Sequence, residues 1–549
     1  MNRLLLLIAL VGCTICGTQT QVYAQSLSAV KQVQFKKDSF NIIQYGAKGG
    51  GVQLNTSSIN AALAACSKNG GGVVVVPAGL WLSGPLRLKS NTNLFLAKNA
   101  LLQFTTDFNE YALVAGNWEG VPAVRNQSPL SADHAENIAI TGHGIIDGGG
   151  EAWRAVKKDK LTESQWQKLL SSGGLVGEDK KTWYPSHQSL IGSQTKEAGL
   201  LKDGKTVKDF EGIKDFLRPN LLVLTGCKRI LLEGITFQNS PAWCLHPLMC
   251  QDLTVRNVYV KNPWYAQNGD GIDIESCKNV LLENNTFDVG DDGICIKSGR
   301  DAAGRKRDMP TENVLVRNCI VYHAHGGFVI GSEMSGGAKN IVVNDCSFIG
   351  TDIGLRFKTT RGRGGVVEKI YISNINMKDI AGEAILFDMY YMAKDPVPLT
   401  GEQRALPKTE LKPVDETTPV FKNFRISNVY CSGAEKAIFI RGLPEMHVTD
   451  IVLENMVLQA AKGIDVQEAS GIQFKNIEVL SANTSPVLDV QQSDNILFDK
   501  ISFGKSAAIL LRVSGDRIKN ITIHRTVASG ANEKIITELG ADAREVQWK

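Results

Sequence analysis

Four short stretches carry residue types able to do acid–base chemistry: Q-N-G-D-G-I-D-I with Asp270, V-G-D-D-G-I-C-I-K-S-G with Asp291 and Asp292, H-A-H-G-G-F with His325, and G-L-R-F-K-T-T with Arg356 and Lys358. Adjacent carboxylates repel, and a chain gains no stability from placing Asp291 beside Asp292. In sequence, Asp291 follows Asp270 at about one coil's distance, and His325 and then the Arg356/Lys358 pair follow at similar intervals. Three carboxylates with a cationic pair suit carboxylate-mediated hydrolysis of an acidic sugar. One acid must carry a proton for the leaving oxygen while another stays ionised to activate water. Crowded carboxylates push their pKa values apart, which supplies both states at one pH. Arg356 and Lys358, two apart on a strand, project to one side and can pair with a substrate carboxylate.

Those intervals need a repeating scaffold, and one is visible. The pattern N-[apolar]-x-[apolar]-x-N-x-x-[apolar] begins at Asn279, Asn313 and Asn340, with looser copies from Arg229, Asp252, Lys369, Asn423, Asp450, Gly471, Asn495 and Asn520. Most successive starts are spaced by roughly 20–35 residues, within the range of solenoid repeats. The longest gap, from Lys369 to Asn423, holds a Pro-rich insert. Short β-branched runs of period two, broken by Gly, Asn and Asp, read as strands. A repeat of this length without a helical period reads as stacked strands. The expected fold is all-β: a single right-handed parallel β-helix, each coil about 4.8 Å above the last. Turn asparagines are expected to bond the backbone of the next coil. A leucine-rich-repeat horseshoe lacks its L-x-x-L-x-L consensus here, and a propeller needs longer units. Intervals of one coil would return the four stretches to one face.

Residues 38–100 read as strand, helix, strand and first coils. The helix is expected from about Ser57 to Cys66, with cap candidates Asn55 and Thr56 and Gly70 past its end, covering the open end of the solenoid. The strand pattern fails over 151–216, a Lys-rich insertion with a helical piece near Thr162 to Leu170, and again over the insertion 391–419. Long insertions in solenoids decorate one face, often the binding face.

At the same stretches the sequence resembles glycoside hydrolase family 28, the polygalacturonases. G-D-D, H-G-G and R-F-K match, as do R-P-N-L-L from Arg218, N-S-P-A-W from Asn239 and G-G-G-V-V-V-V-P-A-G. The resemblance covers roughly residues 38–500. It implies a pectin-lyase-like β-helix that hydrolyses α-galacturonosyl links of pectin with inversion. It further implies Asp291 as general acid, Asp270 and Asp292 positioning and deprotonating water, His325 supporting the acid's protonation state, and Arg356 and Lys358 binding galacturonate. Two motifs depart from the family: N-T-D is N-G-D, keeping Asn268 (a substrate-side candidate) and Asp270, and G-H-G is A-H-G. Arg361 and Arg363 in T-T-R-G-R-G-G look similar to exo-acting bacterial members. The two insertions are expected to wall one end of a groove, giving release of single galacturonate units. A galacturonidase acting on rhamnogalacturonan fragments and an endo-polygalacturonase are the alternatives. A pectate lyase would need calcium and a basic residue in place of the acid-rich site with its His325, and a non-catalytic β-helix binding protein has no need of the stacked Asp, His, Arg and Lys.

Other signals are weaker. D-G-I-D-I-E from Asp270 lacks the spacing of a calcium loop, so no metal and no cofactor are expected. His323 is expected to be structural, as are Trp243 and Trp264; Glu333, Tyr390 and Tyr391 are equally candidates for substrate contact and for packing. Of 549 residues, 43% are hydrophobic and 21% charged, ordinary globular composition. A net charge of +4, or +3 without Arg3, is too weak to indicate a nucleic-acid partner. The basic start and apolar run M-N-R-L-L-L-L-I-A-L read as an export signal over residues 1–24, ending at V-Y-A and Ala24. The remainder, 25–549, is then one catalytic domain, periplasmic or secreted and monomeric. L-V-G-C ending at Cys13 resembles a lipoprotein box and offers a cell-surface lipid anchor as the alternative. No later run is long and apolar enough to span a membrane. Nine cysteines remain after the signal, an odd number without C-x-x-C, and most sit in apolar runs as expected of buried small hydrophobes.

Overall fold

The structure, a computed structural model, describes residues 30–393, 411–504 and 506–549. The export signal with Ala24 and Cys13, and most of the Pro-rich insert, lie outside the described residues.

The repeat becomes a right-handed parallel β-helix with three ladders. In the middle coils one ladder runs through Gln251–Arg256, Lys278–Glu283 and Thr311–Arg317. A second runs through Tyr259–Lys261, Thr286–Asp288 and Ile320–Tyr322. A third runs through Leu245–Leu248, Ile272–Glu275, Asp292–Lys297, Gly326–Ile330, Leu355–Lys358 and Glu383–Asp388. From Ala338–Ile349 onward the first two ladders fuse into continuous strands such as Val366–Lys378 and Val420–Ser432. Alternate side chains point inward and stack in register. Val255, Leu282, Val316, Val343, Ile372, Ile426 and Leu453 form one such column, and every member is buried. One hydrophobic core therefore runs from Ile42 to Ala528, and all nine cysteines of the described chain are buried.

The first residue of each repeat copy marks a corner. Arg229, Asp252, Asn279, Asn313, Asn340, Lys369, Asn423, Asp450, Gly471, Asn495 and Asn520 all take a left-handed conformation, φ between 50° and 68°. Asn and Asp tolerate this region better than other side chains, which explains their recurrence. The expected bonding differs in detail. Asn313 donates to Asn279 (3.1 Å) and Asn340 to Asn313 (2.7 Å), a ladder of side chains and not of side chain to backbone. Stacked corners set successive side-chain amides side by side. An amide both donates and accepts, so a column of them satisfies itself. The buried Asn285 does bond backbone of the preceding coil, donating to Val255 O and accepting from Val258 N.

The N-terminal helix spans Thr56–Lys68 and lays Ile59, Ala62, Leu63 and Cys66 on the first coils. Asn55 sits at its N-cap without a capping bond, because its side chain is spent on Lys48, Gln53 and Leu82 backbone. The 151–216 segment holds a helix Glu163–Ser171 closed by a Thr162–Gln165 capping box, a helix His187–Gln194 and three short strands. A hairpin, Leu113–Trp118 with Val121–Asn126, stands beside it.

Candidate active site

The third ladder positions the chemistry. Ile272 lies opposite Ile294, and the same offset sets Asp270 against Asp292, not against Asp291 as the sequence interval suggests. Asp291 occupies the bend just before the strand Asp292–Lys297, one residue outside the ladder. Asp292 faces Gly326 on the next coil. A Cβ there would collide with Val329 and press on Arg356 Cδ and Asp292 Oδ1, each 3.4 Å away, so this close approach requires glycine. Arg356 lies opposite Val329, one further coil on, and Lys358 two residues beyond on the same side.

These residues converge. Asp270, Asp291 and Asp292 each bring an oxygen within 4.8 Å of the others. Lys358 Nζ donates to Asp292 at 2.7 Å, and Arg356 Nη1 lies 3.4 Å from the other oxygen. Burial alone would raise the Asp292 pKa, but Lys358, Arg356 and Lys297 together hold it far below the ordinary carboxylate range. Asp270 is buried, its Oδ1 has no hydrogen-bond partner, and burial followed by Asp273 and Asp291 pushes its pKa well up. Asp291 accepts from the Asn268 and Asp292 amides at 3.0 Å each, and His325 Nδ1 lies 3.2 Å from it. The hydrogen bond to Asp291 raises the His325 pKa, against partial desolvation. His325 Nε2 is 3.7 Å from Asp352. The three acids could ligate a cation, yet Asp292 is already neutralised by two cations and Asp270 favours its protonated form. The set suits proton transfer better than metal binding.

Other expectations resolve individually. Arg361 and Arg363 are committed to Glu445 and Asp301, which offsets their charge beside the strand. Glu333 accepts from buried Lys297 at 2.8 Å, an ion pair of the interior. Trp243 is buried, stacked on Trp118 and under Lys297. Trp264 is largely exposed and lines the cavity described below. Tyr390 is buried beneath Arg361 and Arg441, whereas Tyr391 faces Arg356 and Lys358. His323 pairs with Asp288 at 2.9 Å.

A cavity of about 1280 Å³ opens beside His325 and Asn268, bounded by the 151–216 segment and the hairpin. Arg125, Arg154 and Arg218 border it. Sequence reading assigned these no role; R-P-N-L-L flagged Arg218 as a motif residue, while nothing local marks Arg125 or Arg154. Arg218 donates to Asn268 Oδ1 at 3.1 Å and so braces the residue whose backbone amide holds Asp291.

A right-handed β-helix with an acid–base carboxylate cluster and a facing cation pair defines a carbohydrate-active hydrolase of the solenoid class. The chain carries a glycoside hydrolase family 28 domain, matched over residues 201–418 by the model described as Glycosyl hydrolases family 28, and it is a glycoside hydrolase. Residues 39–169 match the model Rhamnogalacturonase A/epimerase, pectate lyase-like. The chain is 28% identical to the exo-poly-alpha-D-galacturonosidase of Dickeya chrysanthemi, over 81% of this chain and 72% of that one. It is 26% identical to a probable polygalacturonase of Vitis vinifera, over 78% and 76%. The solved structure of a hyperthermoactive exopolygalacturonase from Thermotoga maritima superposes with a TM-score of 0.66 at 29% identity, covering 84% of this chain and 96% of that one.

Proposed function

We propose that the enzyme hydrolyses α-galacturonosyl linkages from the non-reducing end of polygalacturonate or pectic oligosaccharides, releasing galacturonic acid with inversion. The observation that carries this reading is the carboxylate cluster and its cation pair beside a cavity walled by the hairpin and the 151–216 segment. Similarity to exo-acting relatives supports it. Asp291 is assigned as general acid, supported by His325. Asp270, whose pKa burial pushes up, positions water. Asp292 takes its proton.

Bound by Lys358 and Arg356, Asp292 is too weak a base. When a galacturonate carboxylate draws those cations away, the Asp292 pKa rises toward a useful value, so the substrate's own charge switches the base on. Paired retaining carboxylates lie ~5–5.5 Å apart and inverting ones usually ~6.5–9.5 Å. The tight cluster here departs from the inverting range. Inversion is read from the resemblance to glycoside hydrolase family 28, and the anomer formed tests it. The basic start and apolar run, with cleavage after Ala24 or, as the alternative, processing at Cys13, support export toward a polymeric substrate.

A digest of polygalacturonate and of rhamnogalacturonan oligosaccharides tests the reading. Free galacturonate in the first minutes, formed as the β-anomer by proton NMR and without absorbance near 235 nm, is expected. Early mid-sized oligomers would make the enzyme endo-acting, α-anomer would make it retaining, and rising absorbance would make it a lyase. Preference for the second substrate would move the activity to rhamnogalacturonan fragments.

A further inference from the structure

Arg125 sits on the hairpin strand Val121–Asn126 and is about nine-tenths buried, at 9% exposure. Its guanidinium lies 3.7 Å from the ring centre of Trp118, which stacks in turn on Trp243. Its Nε is buried without an acceptor. Glu119, whose field reaches it, is already bonded by Arg300 at 3.0 Å. Among the described residues no acid forms an ion pair with Arg125. The side chain borders two cavities, the one beside His325 and a smaller one of about 580 Å³ on the other side of the hairpin.

Two more guanidiniums share the larger cavity. Arg154 is held by Asn239 and the Ser240 carbonyl, and Arg218 by the Pro241 and Gln267 carbonyls and Asn268. Burial, and after it the charge of Arg218, lowers the Arg125 pKa to about 9; the same two causes lower that of Arg154 to about 10. Two buried cations with a third, half-buried one beside them cost folding free energy, and a buried charge without a partner costs most. An anion delivered by a ligand would offset that cost. The planar guanidinium fork matches a carboxylate in two parallel bonds, and stacking on Trp118 fixes its plane beforehand.

Few contacts separate this group from the chemistry. Arg218 holds Asn268, Asn268 holds Asp291, and His325 borders the same cavity as Arg125. A sugar seated in this cavity therefore has Arg125 on one wall and His325, the neighbour of Asp291, on another. We propose that Arg125 is a specificity residue that receives the carboxylate of the galacturonate unit at the walled end of the cavity, so that the enzyme selects chains whose terminal sugar is charged. This rests on the exo-hydrolase reading above, with the terminal sugar seated between hairpin and carboxylate cluster. Arg356 and Lys358, on the far side of Asp292, are left to the switch already described.

The test compares trigalacturonate with the same trimer methyl-esterified at its non-reducing unit, using wild type, Arg125→Met and Arg125→Lys. Wild type is expected to favour the acid by about 30-fold or more in kcat/KM, the size of a lost charge-assisted pair. Arg125→Met should raise KM for the acid by a similar factor, leave kcat within a few-fold, and handle acid and ester alike. Arg125→Lys keeps the charge but not the fork and should fall between. An unchanged KM, or an equal loss on both substrates, overturns the proposal. Thermal unfolding reports whether Arg125→Met folds; if it does not, Arg125→Lys decides, and wild-type KM and discrimination in that variant overturn the proposal. If wild type releases no galacturonate from either trimer, the exo-hydrolase reading fails by itself. Calorimetric titration with free galacturonate then reads the anion site separately: binding lost in Arg125→Met supports it, and equal binding in both proteins overturns it.

Discussion

Asp291 and Asp292 are joined by one peptide bond, yet Asp292 faces Lys358 and Arg356 while Asp291 faces His325 and the Asn268 amide. That division of neighbours gives two identical side chains different electrostatic surroundings. Asp291→Asn is expected to lower kcat roughly 10²–10⁴-fold with little change in KM, measured by reducing-sugar release, because the amide has the carboxyl's size but donates no proton to a leaving oxygen. The pH profile follows from the shifts. Asp292 has a folded pKa below its ordinary value, so it stays ionised as pH falls through the usual carboxylate range, and the acid limb of kcat/KM should lie low. In the complex the cations move to substrate, the Asp292 pKa rises, and the acid limb of kcat should lie at higher pH. Coincident acid limbs in a stopped assay across pH would remove the switch from the mechanism. His325 has a raised pKa, so its charged form is retained below 6.5 and lost only as pH rises through the higher folded value. The limb due to His325 should therefore lie above 6.5, and His325→Gln should displace the basic limb.

At the scale of elements, the third ladder acts as a ruler. Its steps set which side chains share a row: a short one from Ile272 to Ile294, then a longer one from Ile294 to Phe328. The longer step accommodates a short helix, Asp301–Arg307, outside the ladder without shifting the row. Gly326 completes the arrangement by leaving room for the Asp292 carboxylate and Arg356. Gly326→Ala is expected to cost about 1–3 kcal/mol of stability, the usual penalty for overpacking, and to lower kcat/KM by displacing Arg356. Denaturant unfolding and steady-state kinetics on the same preparation check both, and full stability with full activity would show that the ladder yields without strain. The hairpin Leu113–Trp118 with Val121–Asn126 belongs to this scale too: it carries Trp118 and Arg125 to the groove, a contribution no periodic pattern could announce.

At the scale of the whole molecule, each coil contacts only its neighbours, so the ends are the weak points of the solenoid. The helix Thr56–Lys68 closes the first of them with Ile59, Ala62, Leu63 and Cys66. Leu63 is fully buried, and Leu63→Ala is expected to cost about 2–5 kcal/mol with kcat unchanged, since the helix touches only the first coils. A urea titration that shifts the midpoint at constant slope is the expected result. A parallel loss of kcat would mean that the first coils are coupled to the carboxylate cluster.

The repeat alone determined the solenoid, because an Asn or Asp recurring at left-handed corners and apolar residues alternating between them leave few other ways to bury the chain. Motif residues in order also determined which carboxylates and cations were candidates, since one ladder returns them to one face. What only the tertiary structure decided is the phase and the partners. The Asp270 row turned out to contain Asp292, because the coil there is one step longer than the interval from Asp270 to Asp291, and a single step reverses a side chain's direction. Arg361 and Arg363 proved to be bonded to acids, Glu445 and Asp301, far away in sequence. Arg125, Arg154 and Arg218 meet although they come from a hairpin, an insertion and a loop. Loops follow no period, so the charge they gather in the cavity is set by packing against the coils and is invisible in the chain's own pattern.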